Sequence, residues 1–226
     1  MPELSFRIGE VSALPYAAVP TISARLHITN SAANETIQSI SLNCQLQLQP
    51  LSRAYSALEE ARLLDLFGEH ERWGQTMKPL HWTNLVVKIP PFSGETTEEL
   101  SLPCSLDFDV AANKYFYGLD RGSIDVAVMF SGTVFYTGEH GSMQIFQIPW
   151  DREAHFRLQV DTWKSAIDAH YLDTRWLRLP RDTFDRLYRY KVAQGIPFWA
   201  DVLNRLLDQA ERNDVAGKLV ARGDGR

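Results

Sequence analysis

Between Ile37 and Gln49 the chain alternates strictly. Ile40, Leu42, Cys44, Leu46 and Leu48 take every second place, and Ser39, Ser41, Asn43, Gln45 and Gln47 fill the places between. Side chains of a strand point alternately to its two faces, so this pattern predicts one buried and one wet face. A helix, at 3.6 residues per turn, would scatter the same apolar set around its axis. Residues 21–29 alternate likewise, with Ile22, Ala24, Leu26 and Ile28 on one side and Ser23, Arg25, His27 and Thr29 on the other. With NSAANET between them, the two segments read as a hairpin with a long loop. Further strands are predicted at 81–89, over the alternating run that begins at Leu100, at 123–137, in SMQIFQIP and around Ala154, Phe156, Leu158 and Val160. Pro103 places its strand at an edge or a bulge. Gly132 marks a bulge or bend in the long strand. Before these segments, Leu4, Phe6 and Ile8 form a short apolar start, and Pro15 and Pro20 make LPYAAVP an extended lead-in.

The period changes in three places. Over 56–67, Ser56 and Glu59 have capping-box spacing, Leu58, Ala61, Leu63, Leu64 and Phe67 follow at helical intervals, and Gly68 supplies a stop. AANKYFYG, residues 111–118, reads as a short helix. After residue 160 the helical period persists. One helix is capped by Asp161 and runs through Tyr171. A second is capped by Asp182 and carries Phe184, Leu187, Tyr188 and Val192 on its inner face. A third has Pro197 in its first turn and continues through Trp199, Val202, Leu203, Leu206 and Leu207. The expected class is mainly β with α. It is an antiparallel β-sandwich of immunoglobulin- or fibronectin-like general architecture, with an inserted helix and a three-helix C-terminal extension. The boundaries are 1–160 for the sandwich, with its helix near 56–67, then 161–213 for the extension packed on it and 214–226 for a flexible tail.

Charge narrows the partners. The 226 residues carry a formal net charge of −5, which argues against general nucleic-acid or anionic-membrane binding. Residues 1–150 hold 9 Lys/Arg against 16 Asp/Glu, while 151–226 hold 14 against 12. No run approaches 18 apolar residues, so no membrane insertion is expected. MPELSFRIGE lacks a basic n-region followed by an apolar run, and the expected compartment is cytoplasmic. In that compartment Cys44 and Cys104, both on inward strand positions, are expected to be reduced core residues rather than a disulfide.

Familiar catalytic patterns are absent. The six histidines form no HxH, HxxxH or HExxH, neither cysteine belongs to a CxxC, and GxSxG, GxGxxG and Walker A sequences do not occur. Neither a cofactor nor a metal is expected. Glu69-His70-Glu71 offers a carboxylate-polarised base but reads better as a solvated loop, and His155 and His170 read as surface residues.

The most unusual composition lies at 171–199, YLDTRWLRLPRDTFDRLYRYKVAQGIPFW. Trp, Tyr and Arg are enriched where proteins bind proteins. The competing reading is that the aromatics pin the helices onto the sandwich while the cations stay solvated. Arg175, Trp176, Arg178, Arg181, Arg189 and Tyr190 are the candidate partner-binding residues.

The segments LPYAAVP (14–20), FGEHERWG (67–74), 104–122, FSGTVFY (130–136) and PWDRE (149–153) together resemble an uncharacterised bacterial family of unknown function. That family is largely actinobacterial, and some members are encoded near uptake [NiFe]-hydrogenase genes. The resemblance implies an accessory or assembly role and assigns no active-site residue. The leading expectation is a non-catalytic interaction or accessory protein with a protein partner, or with a second copy of itself. The alternative is an enzyme or small-molecule binder with a pocket at the sandwich–helix junction, near Trp150, Asp151, Arg152 and Glu153. A hydrogenase-associated assembly factor is a further alternative.

Overall fold

The structure, a computed structural model, describes residues 1–32, 35–104, 110–138, 141–171 and 177–223, without the side chains of 214–223. The chain divides into two compact units, Met1–Trp176 and Leu177–Arg226.

The first unit contains two antiparallel sheets packed face to face. One has three strands in the order β1 (Leu4–Ala13), β2 (Thr21–Asn30), β5 (Glu95–Pro103). The other is built on β3 (Thr36–Gln49), flanked by β4 (Leu80–Ile89) and β6 (Ser123–Thr137). Along the far side of β6 lie β7 (Met143–Gln147) and β8 (Glu153–Gln159), end to end. This is the expected mainly-β sandwich with helices.

Alternation in the sequence becomes burial in the fold. Ile40, Leu42, Cys44, Leu46 and Leu48 are all buried, while Ser41, Asn43 and Gln45 between them are exposed. Their counterparts Ile22, Ala24, Leu26 and Ile28 come from β2 in the opposite sheet. The rings of Phe6 on β1 and Phe130 on β6 stack between the sheets at 4.4 Å.

The expected hairpin of 21–29 with 37–49 does not form. β2 pairs with β1 and β5, whereas β3 pairs with β4 and β6. Both strands have one apolar face, and two such strands bury those faces either side by side or face to face. Here the chain crosses from one sheet to the other, so their apolar faces meet across the core.

The inserted helix forms as expected. In α1 (Ala57–Phe67) Ser56 Oγ accepts from the Glu59 N–H, Glu59 accepts from the Ser56 N–H, and Gly68 ends the helix at φ 74°. A short α2 (Trp73–Thr76) follows. Then α3 (Ala111–Gly118) packs against α1 and β4, and α4 (Val160–Asp168) packs against β1, β2 and β8. Trp163 of α4 stacks on Phe116 of α3, 4.9 Å apart and 5° from parallel. Asp161 does not cap α4; the helix begins one residue earlier, after Gln159.

At the junction of α1 and α3 lies a buried polar network. Arg53 Nη2 donates to Glu59 Oε1 at 2.8 Å and to the Arg121 carbonyl at 3.0 Å. Glu59 also accepts from the Asp120 N–H at 2.9 Å. The hydroxyls of Tyr55 and Tyr115 lie 2.7 Å apart. These bonds tie the helices to the loop before β6.

The second unit is a helical hairpin. In it α5 (Arg181–Ala193) and α6 (Trp199–Gly223) are joined by a short loop. Gly195, at φ 62°, donates to the Val192 carbonyl, and the Ile196 N–H reaches the Lys191 carbonyl. A left-handed glycine after the last turn is a common helix stop. Two expected starts move. Asp182 lies inside the first turn of α5, whose cap is Pro180, and Pro197 precedes α6 rather than entering it. Proline lacks an N–H, and just before a helix that loss is harmless.

Candidate functional site

The stripes that the sequence assigns to the inner faces of α5 and α6 are only partly covered. Val202 is fully buried, and Leu187 and Leu206 are half-buried. Phe184, Tyr188, Val192, Leu203 and Leu207 remain exposed, Val192 by 63% and Leu207 by 60%. The apolar face of such a helix spans 100° or more, wider than one neighbouring helix covers.

Trp199 is where the hairpin closes. Its ring lies 5.3 Å from Phe184 and 6.4 Å from Tyr188, and those two rings are themselves 6.3 Å apart. Lys191 Nζ stands 5.7 Å above the Trp199 ring, within the range of a cation–π attraction. Phe184 and Tyr188 occur one helical turn apart because the sequence spaces them by four residues.

Beside this cluster opens an apolar groove of about 580 Å³. Leu177, Leu179, Phe184, Leu187, Trp199 and Leu203 line it, and Arg181 and Asp185 stand at its rim. The surrounding segment is cationic. From 177 to 193 it carries Arg178, Arg181, Arg186, Arg189 and Lys191 against Asp182 and Asp185.

Of the candidate residues, Arg175 and Trp176 lie outside the described residues. Arg178, Arg181 and Arg189 are exposed, and Tyr190 is half-buried. Arg181 is the one that lines the groove. Of the groove leucines, Leu203 is read from the sequence as part of an inner-face helical stripe, whereas Leu177 and Leu179 are missed. The alternation of Leu and Arg in LRLPR, residues 177–181, is the local signal that marks two of them.

The alternative reading concerns Trp150, Asp151, Arg152 and Glu153. Trp150 is 91% exposed, and Asp151 and Glu153 are exposed beside it, in the connection between β7 and β8. Among the described residues the buried carboxylate is Glu59, and it is engaged by Arg53. Burial alone would raise its pKa, but the N–H groups of Ser56 and Asp120 and the Arg53 guanidinium outweigh that and hold it below the usual value. A polar concavity of about 400 Å³ on the first unit carries Glu10 and Glu99. These pair with Arg25 at 3.4 Å and with Ser23 Oγ at 2.7 Å.

His70 Nδ1 lies 3.1 Å from Glu60, with its ring against Trp73. His170 bonds to the carbonyls of Ala166 and Ala17, while His155 faces Glu153. Cys44 and Cys104 are free and buried, and burial pushes both thiols up to about 12. Among the described residues no group of three or more His, Cys, Asp or Glu could hold a metal ion, and no helix is long and apolar enough to cross a membrane.

A protein-family model described as a family of unknown function (DUF6084) matches residues 1–215. No curated protein matches the chain. Solved structures that match the chain include the CARDB domain of a Pyrococcus furiosus protein, in complex with di-metal ions. It is 10% identical, with 70% of this chain and 86% of that chain covered and a TM-score of 0.28. The putative ApaA protein of Bordetella pertussis is 13% identical, with 70% and 93% covered and a TM-score of 0.25.

Proposed function

The chain belongs to the family of unknown function DUF6084, so its activity must be argued from its own surfaces, and we propose that it is an interaction protein. Its helical hairpin receives an amphipathic helix of a protein partner, with acidic residues flanking that helix's apolar stripe. The observation that carries this reading is the Leu177–Leu203 groove with cations around it. A helix laid in such a groove contributes anchors at i, i+3, i+4 and i+7. Each large anchor that leaves water contributes roughly 1.5–3 kcal/mol. Acidic flanks meet Arg178, Arg181 and Arg189, which speeds association and selects against basic partners. The role is non-catalytic, and it is consistent with an accessory function.

A photo-crosslinking residue placed at Leu203 tests the reading in cells. A discrete adduct is expected, and the combined change Arg178→Glu and Arg189→Glu should abolish it while leaving the melting temperature unchanged. A melting temperature lowered by several degrees with the adduct retained would assign the cations to structure instead. An adduct indifferent to charge reversal would overturn the acidic partner.

A further inference from the structure

The strand β7 is an unprotected edge. It ends its sheet, pairing with β6 alone. Its sequence, MQIFQ, has no charge and no proline. Exposed edges invite pairing with another chain, and proteins ordinarily blunt them with charges, prolines or bulges. The other edges here are blunted. β1 breaks register between Ile8 and Val11, with Glu10 in the gap. β4 carries Lys88 and His81, and β5 carries Glu95, Glu98 and Glu99 and ends on Pro103. β8 carries Glu153 and Arg157.

The hydrogen-bond phase of β7 shows which groups face outward. Ile148 N donates to the Gly132 carbonyl at 2.9 Å, and Gly138 N donates to the Ser142 carbonyl at 3.0 Å. Even-numbered residues of this stretch therefore address β6. In an antiparallel ladder alternate residues face opposite sides, so Met143, Ile145 and Gln147 direct their N–H and C=O groups away from the sheet. Met143 and Ile145 are also 69% and 64% exposed as side chains. Phe135, opposite Ile145 on β6, is half-buried beside them.

We propose that β7 is a self-association edge, pairing antiparallel with β7 of a second copy about a two-fold axis at Ile145. The strand is self-complementary in this register. Ile145 meets Ile145 of the other copy, and Met143 meets Gln147 twice. All three pairs are of the type that exchanges two backbone bonds. Because MQIFQ carries no charge, the two-fold brings no like charges together, and the strand offers an acidic or basic peptide no opposite charge to pair with. Met143 and Ile145 of both copies fall on one face of the joined sheet, next to the two Phe135 rings, and form cross-strand apolar pairs. A two-fold contact of this kind closes, so the product is a dimer rather than a fibre.

The 226-residue chain is tested by analytical ultracentrifugation. Wild type should reach a monomer–dimer equilibrium. Ile145→Lys, which puts a charge on the axis facing its own copy, should weaken it about tenfold or more at unchanged melting temperature. Single cysteines give an independent reading, because Cys44 and Cys104 are buried. Under mild oxidation Ile145→Cys should form a covalent dimer quickly, whereas Tyr117→Cys, an exposed position away from the edge, should not. A wild type that stays monomeric at its highest soluble concentration overturns the proposal. So does a dimer indifferent to Ile145→Lys, which would assign self-association to another surface. Loss of hairpin crosslinking in the Leu203 experiment, with dimerisation intact, leaves this proposal standing and removes only the partner reading.

Discussion

At the scale of residues, the best-determined chemistry is structural. Arg53 and Glu59 are nearly removed from water, with side chains 13% and 5% exposed. Charges in such a place are tolerated only when paired and hydrogen-bonded. Glu59→Gln removes the carboxylate and leaves the guanidinium buried, which should destabilise the fold by roughly 3–5 kcal/mol in chemical denaturation. The carboxyl is held below its usual value in the fold. Its contribution is therefore complete above the unfolded-state pKa near 4.5 and is lost as pH falls through the lower folded value. The wild-type acid transition should flatten in Glu59→Gln over that window. The thiols have the opposite sense. Unfolded cysteine ionises near 9, while Cys44 and Cys104 hold their protons to about 12. The unfolded state binds fewer protons between those values, so stability should decline as pH rises above about 9. In the native protein at neutral pH both thiols should resist an aromatic disulfide reagent and become reactive only on unfolding. Rapid labelling of the folded protein would contradict their burial.

At the scale of elements, the capping box and the strand period translated directly, whereas the helix starts read at Asp161, Asp182 and Pro197 shifted. The Ser56–Glu59 box caps α1 because both halves of it lie within one turn of chain. The period of β3 reads directly as burial because a strand has only two faces. Gly132 reads in the sequence as a bulge or bend, and the fold gives the reason. Its φ is 141°, and a Cβ there would stand 2.0 Å from the Ser41 carbonyl oxygen on β3. On its other side the chain from Ile148 to Arg152 bulges between β7 and β8, bonded at Gly132 and Phe130. Gly132→Ala should cost roughly 2–6 kcal/mol, from backbone strain and overpacking together, read as a lowered denaturation midpoint. Strand pairing was not legible. Nothing in 21–49 distinguishes two strands that pair from two that face each other across a core, since both need one apolar face. The groove was half legible. Arg181 stood out by its charge, but Leu177, Leu179 and Leu203 look like ordinary core residues until the hairpin is seen to leave them uncovered. The β7 edge was invisible for the same reason: an uncharged alternating segment reads as a strand, and its place at the end of a sheet comes from pairing alone.

At the scale of the whole molecule, the charge is divided. Residues 1–150 carry an excess of carboxylates and residues 151–226 a slight excess of cations, so the proposed partner would meet the cations of a chain that is acidic overall. Exposed charges are screened over about 8 Å at physiological salt, so the acidic partner should associate more slowly as salt rises while the apolar anchors keep a salt-independent remainder. The proposed dimerisation through β7 would add a second consequence, because each dimer would carry two grooves. When one groove is occupied on a partner-coated surface, the second meets the next partner at an effective concentration set by the tether rather than by bulk solution. Avidity of this origin reaches about 10²-fold or more without any new contact. The discriminating measurement compares two formats. In solution, at protein concentrations below dimerisation, wild type and Ile145→Lys should bind the partner with equal affinity, because the groove is untouched. On a densely coated surface wild type should dissociate about 10²-fold more slowly, and Ile145→Lys should lose that advantage entirely. Equal dissociation in both formats would mean that the two grooves of a dimer cannot engage together. A solution affinity weakened by Ile145→Lys would place the edge strand inside the partner's footprint rather than apart from it.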